Sequence, residues 1–179
     1  MNKPTVYIGF CTGTGWLSRI IEWFSKGPSH AFLLYYDDEF GGWLQLGEEI
    51  GGWVQMAGEY ISNVTSLYEL PEVDIWAGLR ANRTWLGSGY DFGGLLGMSW
   101  VSIAYYWFKM KVKNPLSSKT NWYCSGIIQK VISESPGGEN FKLDPATTSP
   151  RFLEDEIKKF GAIPRDYAVV TKGLEKLTA

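Results

Sequence analysis

The chain carries one histidine and two cysteines, and two of these three residues stand where they could do chemistry. Cys124 lies in the stretch NWYCSGIIQKVI. There Cys124, Ile127, Ile128 and Val131 recur on adjoining parts of one helical face, so the spacing predicts a helix opening at the cysteine. The N-terminal end of a helix carries partial positive charge, which favours a thiolate and lowers the thiol pKa. Backbone N–H groups of the first turn have no intrahelical partner and could hold a developing oxyanion. Ser125 and Gly126 are small and leave room for a substrate carbonyl. The plainer alternative is a cysteine acting as a small buried hydrophobe.

His30 opens the run HAFLLYY, which follows SKGPS. Alternation along a strand puts His30, Phe32, Leu34 and Tyr36 on one face and Ala31, Leu33 and Tyr35 on the other. Both faces are largely apolar, so a central strand is expected. An imidazole buried there has two nitrogens to satisfy. A helix-terminal thiol would serve one of them, giving the nucleophile and general base of a cysteine hydrolase. A third polar group should hold the other nitrogen and fix the tautomer. Gln45 is the first candidate, because it interrupts the apolar strand WLQL. Glu48 is the second.

The elements that must position these residues follow from periodicity and punctuation. TVYIGF, HAFLLYY, WLQLG and GWVQM read as strands, the last two as a meander with the turn at Asp37-Asp38 to Gly41-Gly42 before them. Trp16, Leu17, Ile20, Ile21 and Phe24 recur at helical spacing and stop at Lys26-Gly27-Pro28. EVDIWAGL reads as a further strand, and DYAVVT as the last one. Ser149-Pro150 offers an N-cap and a first-turn proline for the helix PRFLEDEIKKF, with Gly161 as its stop. The charge-free run from Phe92 to Phe108 holds three glycines and two serines; it reads as a buried or interfacial helix rather than a membrane span. The expectation is a single α+β domain over residues 1–179, a mainly antiparallel sheet with helices packed against it.

Bulk properties exclude several classes. The chain has 179 residues, 45% hydrophobic and 20% charged, enough for one sizeable core. A net charge of -2 lacks the basic footprint of a nucleic-acid binder. Two cysteines are too few for a disulfide framework. One histidine and two distant cysteines offer no metal-ligand cluster, so neither metal nor cofactor is expected. GFCTGTGWLSR follows a strand and opens a helix, but it lacks the Lys-Ser/Thr of a phosphate-binding loop and the third glycine of a dinucleotide fingerprint. It reads as a tight connection, with Cys11 structural. The start MNKPTVYIGF lacks the apolar core of a secretory signal, which gives a cytoplasmic expectation. Lysines 109, 111 and 113 read as a solvated loop, with contact to a membrane surface as the alternative.

Taken together, the motifs resemble a known superfamily. GYDFGG, followed downstream by YCSG opening a helix, is similar to the NlpC-type papain-like cell-wall peptidases. In ordinary members the histidine follows the cysteine. Here it precedes it, after LSRIIEWFSKGPSH, an order that resembles the circularly permuted branch of YiiX-like and lecithin:retinol-acyltransferase-like proteins. DPATTSPRFLEDEI resembles the segment in which a proline-containing turn starts the helix after the catalytic one. The resemblance runs from about Val6 to Phe160.

It implies a permuted papain-like fold with Cys124 as nucleophile and His30 as base. Gln45 falls where permuted relatives usually carry glutamate or histidine; a neutral amide orients an imidazole but stabilises imidazolium less than a carboxylate does. Tyr90 matches the tyrosine of the glycine-rich segment, a supporting position near the thiol, and Tyr123 stands where the ordinary branch often has aspartate. The expected activity is a hydrolase, or an acyltransferase, that passes through an acyl-enzyme on a peptide amide or lipid-like acyl substrate. The aromatic-rich stretch from Tyr90 to Phe108 favours an apolar acyl group. A catalytically silent binding module that keeps the fold is the alternative.

Overall fold

The computed structural model describes residues 3–13, 16–49, 52–57, 61–82, 97, 100, 101, 103–105, 107–110, 112, 113, 124–144 and 147–173. Its elements in chain order are β1 (Val6–Cys11), α1 (Trp16–Ser25), β2 (His30–Asp37), β3 (Gly42–Glu49), β4 (Gly52–Ala57), β5 (Val64–Glu69), α2 (Ile75–Ala81), α3 (Cys124–Ser133), α4 (Pro150–Lys159), β6 (Ile163–Arg165) and α5 (Tyr167–Gly173). The described residues between 97 and 108 are helical. The strands form one six-stranded sheet in the order β4-β3-β2-β1-β5-β6, and every pairing is antiparallel. The fold class is α+β.

β2 sits between β1 and β3, and its residues from Ala31 to Tyr35 are buried. Ala31, Leu33 and Tyr35 join Ile8, Phe10, Leu44 and Leu46 in the larger core, which Ile127, Ile128, Val131 and Ile132 of α3 and Leu153 and Ile157 of α4 complete. Phe32 and Leu34 face the other way, with Cys11, Trp43 and Leu67, where Tyr167 and Val170 of α5 cover them. The sheet therefore separates two apolar layers. The β2–β3 turn closes through Asp37: its carboxylate accepts the N–H groups of Glu39 and Phe40, each at 2.9 Å. Gly41 completes it at φ 71°, a left-handed conformation that suits a residue without Cβ.

Two segments expected to be strands are helices. In EVDIWAGL, Asp74 acts as an N-cap, accepting from the Ala77 N–H at 2.8 Å, and α2 runs from Ile75. In DYAVVT, Asp166 accepts from the N–H groups of Ala168 and Val169 at 2.8 and 3.1 Å, and α5 begins at Tyr167. In both, an aspartate cap and tertiary packing override the β-branched residues that follow. β5, between β1 and β6, and the edge strand β6 complete the sheet on that side.

Helix α4 starts as expected, with Ser149 accepting the Phe152 N–H at 3.2 Å. It is pinned to β5 by Glu154, which accepts from Ser66 Oγ at 2.9 Å, Tyr68 OH at 3.0 Å and Lys158 Nζ at 2.9 Å. Burial pushes this carboxyl up, but the donors Lys158, Ser66 and Tyr68 outweigh it and hold the pKa below the usual value. Glu154→Gln should therefore cost about 1–3 kcal/mol at neutral pH, read from urea unfolding. Because the folded-state pKa is depressed, the wild-type advantage is present above the ordinary carboxylate range and should vanish as pH falls through it. An equal loss at pH 3 and pH 7 would show that charge has no part in the contact.

Candidate functional site

His30 begins β2, and its place is fixed by the residue before it. Ser29 donates its N–H to the Cys11 carbonyl at 3.2 Å. Its hydroxyl accepts the Gly13 N–H at 2.9 Å and donates to Glu22 Oε1 at 2.9 Å. One side chain thus ties the end of β1, the loop after it and helix α1 to the entry of β2. Sequence reasoning passed over Ser29, although a polar residue between a proline and a buried strand is a position that demands partners.

The register then sets the surroundings of the imidazole. Cys11 is directly opposite His30 across the β1–β2 ladder. Across the β2–β3 ladder Phe32 faces Gly47 and Leu34 faces Gln45. Residues opposite one another in an antiparallel pair share a face, so Cys11, His30, Gln45 and Gly47 all lie on the α5 side. The absence of a side chain at Gly47 lets two polar heads come together: a Cβ there would stand 3.1 Å from His30 Nε2 and 3.1 Å from Gln45 Nε2. Gln45 is buried. The structure thus brings His30 and Gln45 side by side, with no hydrogen bond formed by His30 Nε2.

His30 as a whole is only partly buried, yet its Nε2 is buried without a partner. Burial pushes its pKa down from 6.5 to about 4, so the ring is neutral at pH 7 and retains a basic nitrogen.

Cys124 is the first residue of α3 and is buried, as are Ser125 and Gly126. The Ser125 hydroxyl donates to the Thr148 carbonyl. Through Ile127, Ile128, Val131 and Ile132, α3 packs on the face that carries Ala31 and Leu33. Strand alternation aims His30 at the opposite face. Ile127, Ile128, Val131 and Ile132 thus lie across the sheet from the face that alternation assigns to His30. The thiol in register with His30 is Cys11, which the sequence reading treated as structural. That pairing depends on the β1–β2 register, which a ten-residue helix separates in sequence. Glu48 lies in β3, but its side chain, like Tyr90 and Tyr123, lies outside the described residues.

Near Cys124 the chain also forms an open, largely apolar cleft, with Lys142 and Asp144 among its lining residues. Val101, Tyr105, Met110, Val112, Leu143 and Phe152 line a cavity of about 230 Å³. Thr147 and Ser149 line it as well, and they flank the Thr148 whose carbonyl holds Ser125. Among the described residues no helix is long and apolar enough to cross a membrane. No protein-family model matches the chain, and neither a curated protein nor a solved structure matches it.

The buried neutral imidazole makes the site sensitive to acid. The folded-state pKa of His30 lies below its unfolded value, so the unfolded chain binds the extra proton between pH 6.5 and 4 and stability rises with pH there. Wild type should lose on the order of 2–3 kcal/mol more than His30→Gln across that interval. Parallel urea-unfolding profiles of the two proteins would contradict a buried neutral ring.

Proposed function

We propose that this chain is a cysteine-dependent hydrolase or acyltransferase in which His30 is the general base and Gln45 the neighbouring group that orients it. The observation that carries the reading is the imidazole: a neutral base at the end of a central strand, beside a buried amide, whose Nε2 has no partner among the described residues. A structural histidine would normally have both nitrogens satisfied. A thiol attacks the carbonyl carbon of an ester or amide as the base takes its proton. The tetrahedral intermediate collapses to an acyl-enzyme as the leaving group departs with that proton, and water or another acceptor then attacks the acyl carbon and frees the thiol.

Cys124 is the nucleophile that the order of motifs favours. It stands at a helix N-terminus, where a thiolate and an oxyanion are both stabilised, and the helix packs against the strand that begins with His30. The resemblance of the motifs to the permuted papain-like branch supports the same assignment. For the pair to meet, the His30 side chain must turn past the end of β2, which its place as first residue of the strand allows. The apolar cavity beside Thr147 and Ser149 supports a lipid-like acyl group as the substrate. The strand register favours a second reading, in which Cys11 is the thiol that His30 serves.

Iodoacetamide labelling across pH 5–9, read by mass spectrometry at each cysteine, separates the readings. The reactive thiol should label fast well below pH 8 and slow by about tenfold or more in His30→Ala. That behaviour at Cys124 supports the first assignment, and at Cys11 the second. If neither thiol responds to His30→Ala, the hydrolase reading falls and a binding module takes its place.

A further inference from the structure

A second feature lies away from His30, on the surface. Among the described residues, eight large apolar side chains are exposed, and five of them, Trp23, Trp100, Trp107, Phe108 and Met110, come from only two segments. Single exposed hydrophobes need no explanation, whereas a contiguous patch does. Here the two segments meet through Trp23 and Trp107. The rings of Trp23 and Trp107 lie 5.8 Å apart, and Lys26 Nζ sits 4.5 Å over the Trp107 ring. Trp23 is 63% exposed and Trp107 50%, so their mutual contact leaves most of both rings in water.

The polar border of this patch is cationic. Both contributing segments end in a lysine of left-handed conformation, Lys26 at φ 53° and Lys109 at φ 57°. The Lys109 N–H closes the second segment on the Tyr105 carbonyl at 3.1 Å. Arg19 and Lys113 are also exposed. From Gly97 to Lys113 the only charged residues are Lys109, Lys111 and Lys113. The acid nearest in sequence on α1, Glu22, is engaged by Ser29. A chain whose net charge is -2 thus sets Lys26 over Trp107 and carries further exposed cations on the same two segments and just beyond them.

We infer that this surface docks on a lipid bilayer bearing anionic headgroups, with Trp23, Trp107, Phe108 and Met110 at the interface and the lysines against the headgroups. Indole rings are favoured at the membrane–water boundary, where one end is apolar and the other wet. Lysines beside them add electrostatic attraction to an anionic leaflet. A protein partner would have to match an aromatic patch flanked by several lysines. A second copy of this chain would bring those cations against each other. Both fit less well than a fluid anionic surface.

The test is sedimentation of the full chain with vesicles of phosphatidylcholine alone or with about one-third phosphatidylserine, a composition chosen to reproduce an anionic leaflet. The protein should sediment with the anionic vesicles, and less so as salt is raised. Trp107→Ala with Phe108→Ala, and separately Lys109→Glu with Lys113→Glu, should each lower the bound fraction by about tenfold. All four side chains are exposed, and circular dichroism checks that the variants fold. Absence of sedimentation with either vesicle overturns the inference. So does a dimer, seen by light scattering, that Trp107→Ala with Phe108→Ala dissolves while vesicles are ignored. Because no catalytic step is read, failure here leaves the hydrolase reading intact, and the labelling experiment leaves this one intact.

Discussion

β2 is buried on both faces, and that circumstance governs where every side chain of the candidate site is able to go. A strand covered on one side only can slip without much cost to its exposed face. Here a slip of one residue would move Phe32 and Leu34 into the layer of α3 and α4, and Ala31, Leu33 and Tyr35 into the layer of α5. The register is fixed by packing on both sides at once. His30 inherits its direction from that register, as do Cys11, Gln45 and Gly47. The Ser29 contacts to Gly13 and Glu22 then hold the point at which the chain enters the sheet.

Within that frame, two effects compete over the thiol. A helix N-terminus favours a thiolate by about 0.3–1 kcal/mol at the surface and up to about 2 in partly buried geometry. A preformed ion pair would also require His30 to be charged, and burial has moved its pKa from 6.5 to about 4, a cost of roughly 3 kcal/mol at one pKa unit per 1.36 kcal/mol. The helix term alone does not offset that. In the proposed reaction the imidazole therefore starts neutral, and proton transfer would be coupled to attack rather than completed beforehand. Gln45 fits this state, since a neutral amide orients a neutral ring without the desolvation that a buried carboxylate would add.

Much of this arrangement was legible in the residues. The boundaries of β1 to β4, α1, α3 and α4 follow from periodicity, glycine and proline punctuation, and the Ser149 cap. The neighbourhood of His30 and Gln45 also follows, because β2 and β3 are joined by a short turn whose length sets their register. What did not follow depends on competition or on distance. DIWAGL and DYAVVT hold residues that favour strands, and only the capping aspartates and the packing partners decide for helix. The facing of Cys11 and His30 depends on how α1 returns the chain to the sheet, which no local pattern encodes. The same holds for the side of the sheet that α3 covers.

The aromatic content takes on a different meaning once the layers are assigned. Tyr35, Tyr68 and Phe10 fill the larger core and Trp43 the smaller one, where its indole N–H also donates to the Thr171 carbonyl at 3.2 Å. These rings are needed to close the sheet on both sides. Trp23, Trp107 and Phe108 close nothing: their removal would take little from either core, so folding gives no reason to retain them. Met110 links the two regimes, exposed at the patch and also lining the cavity with Tyr105 and Phe152. An apolar chain leaving a bilayer at that patch would meet the cavity wall at the same residue. Thr147 and Ser149 on that wall bracket the carbonyl that anchors the first turn of α3. The surface, the cavity and the turn at Cys124 are therefore joined by a short series of contacts within one side of the fold. Within the proposed function, that continuity favours a lipid-like over a peptide acyl group.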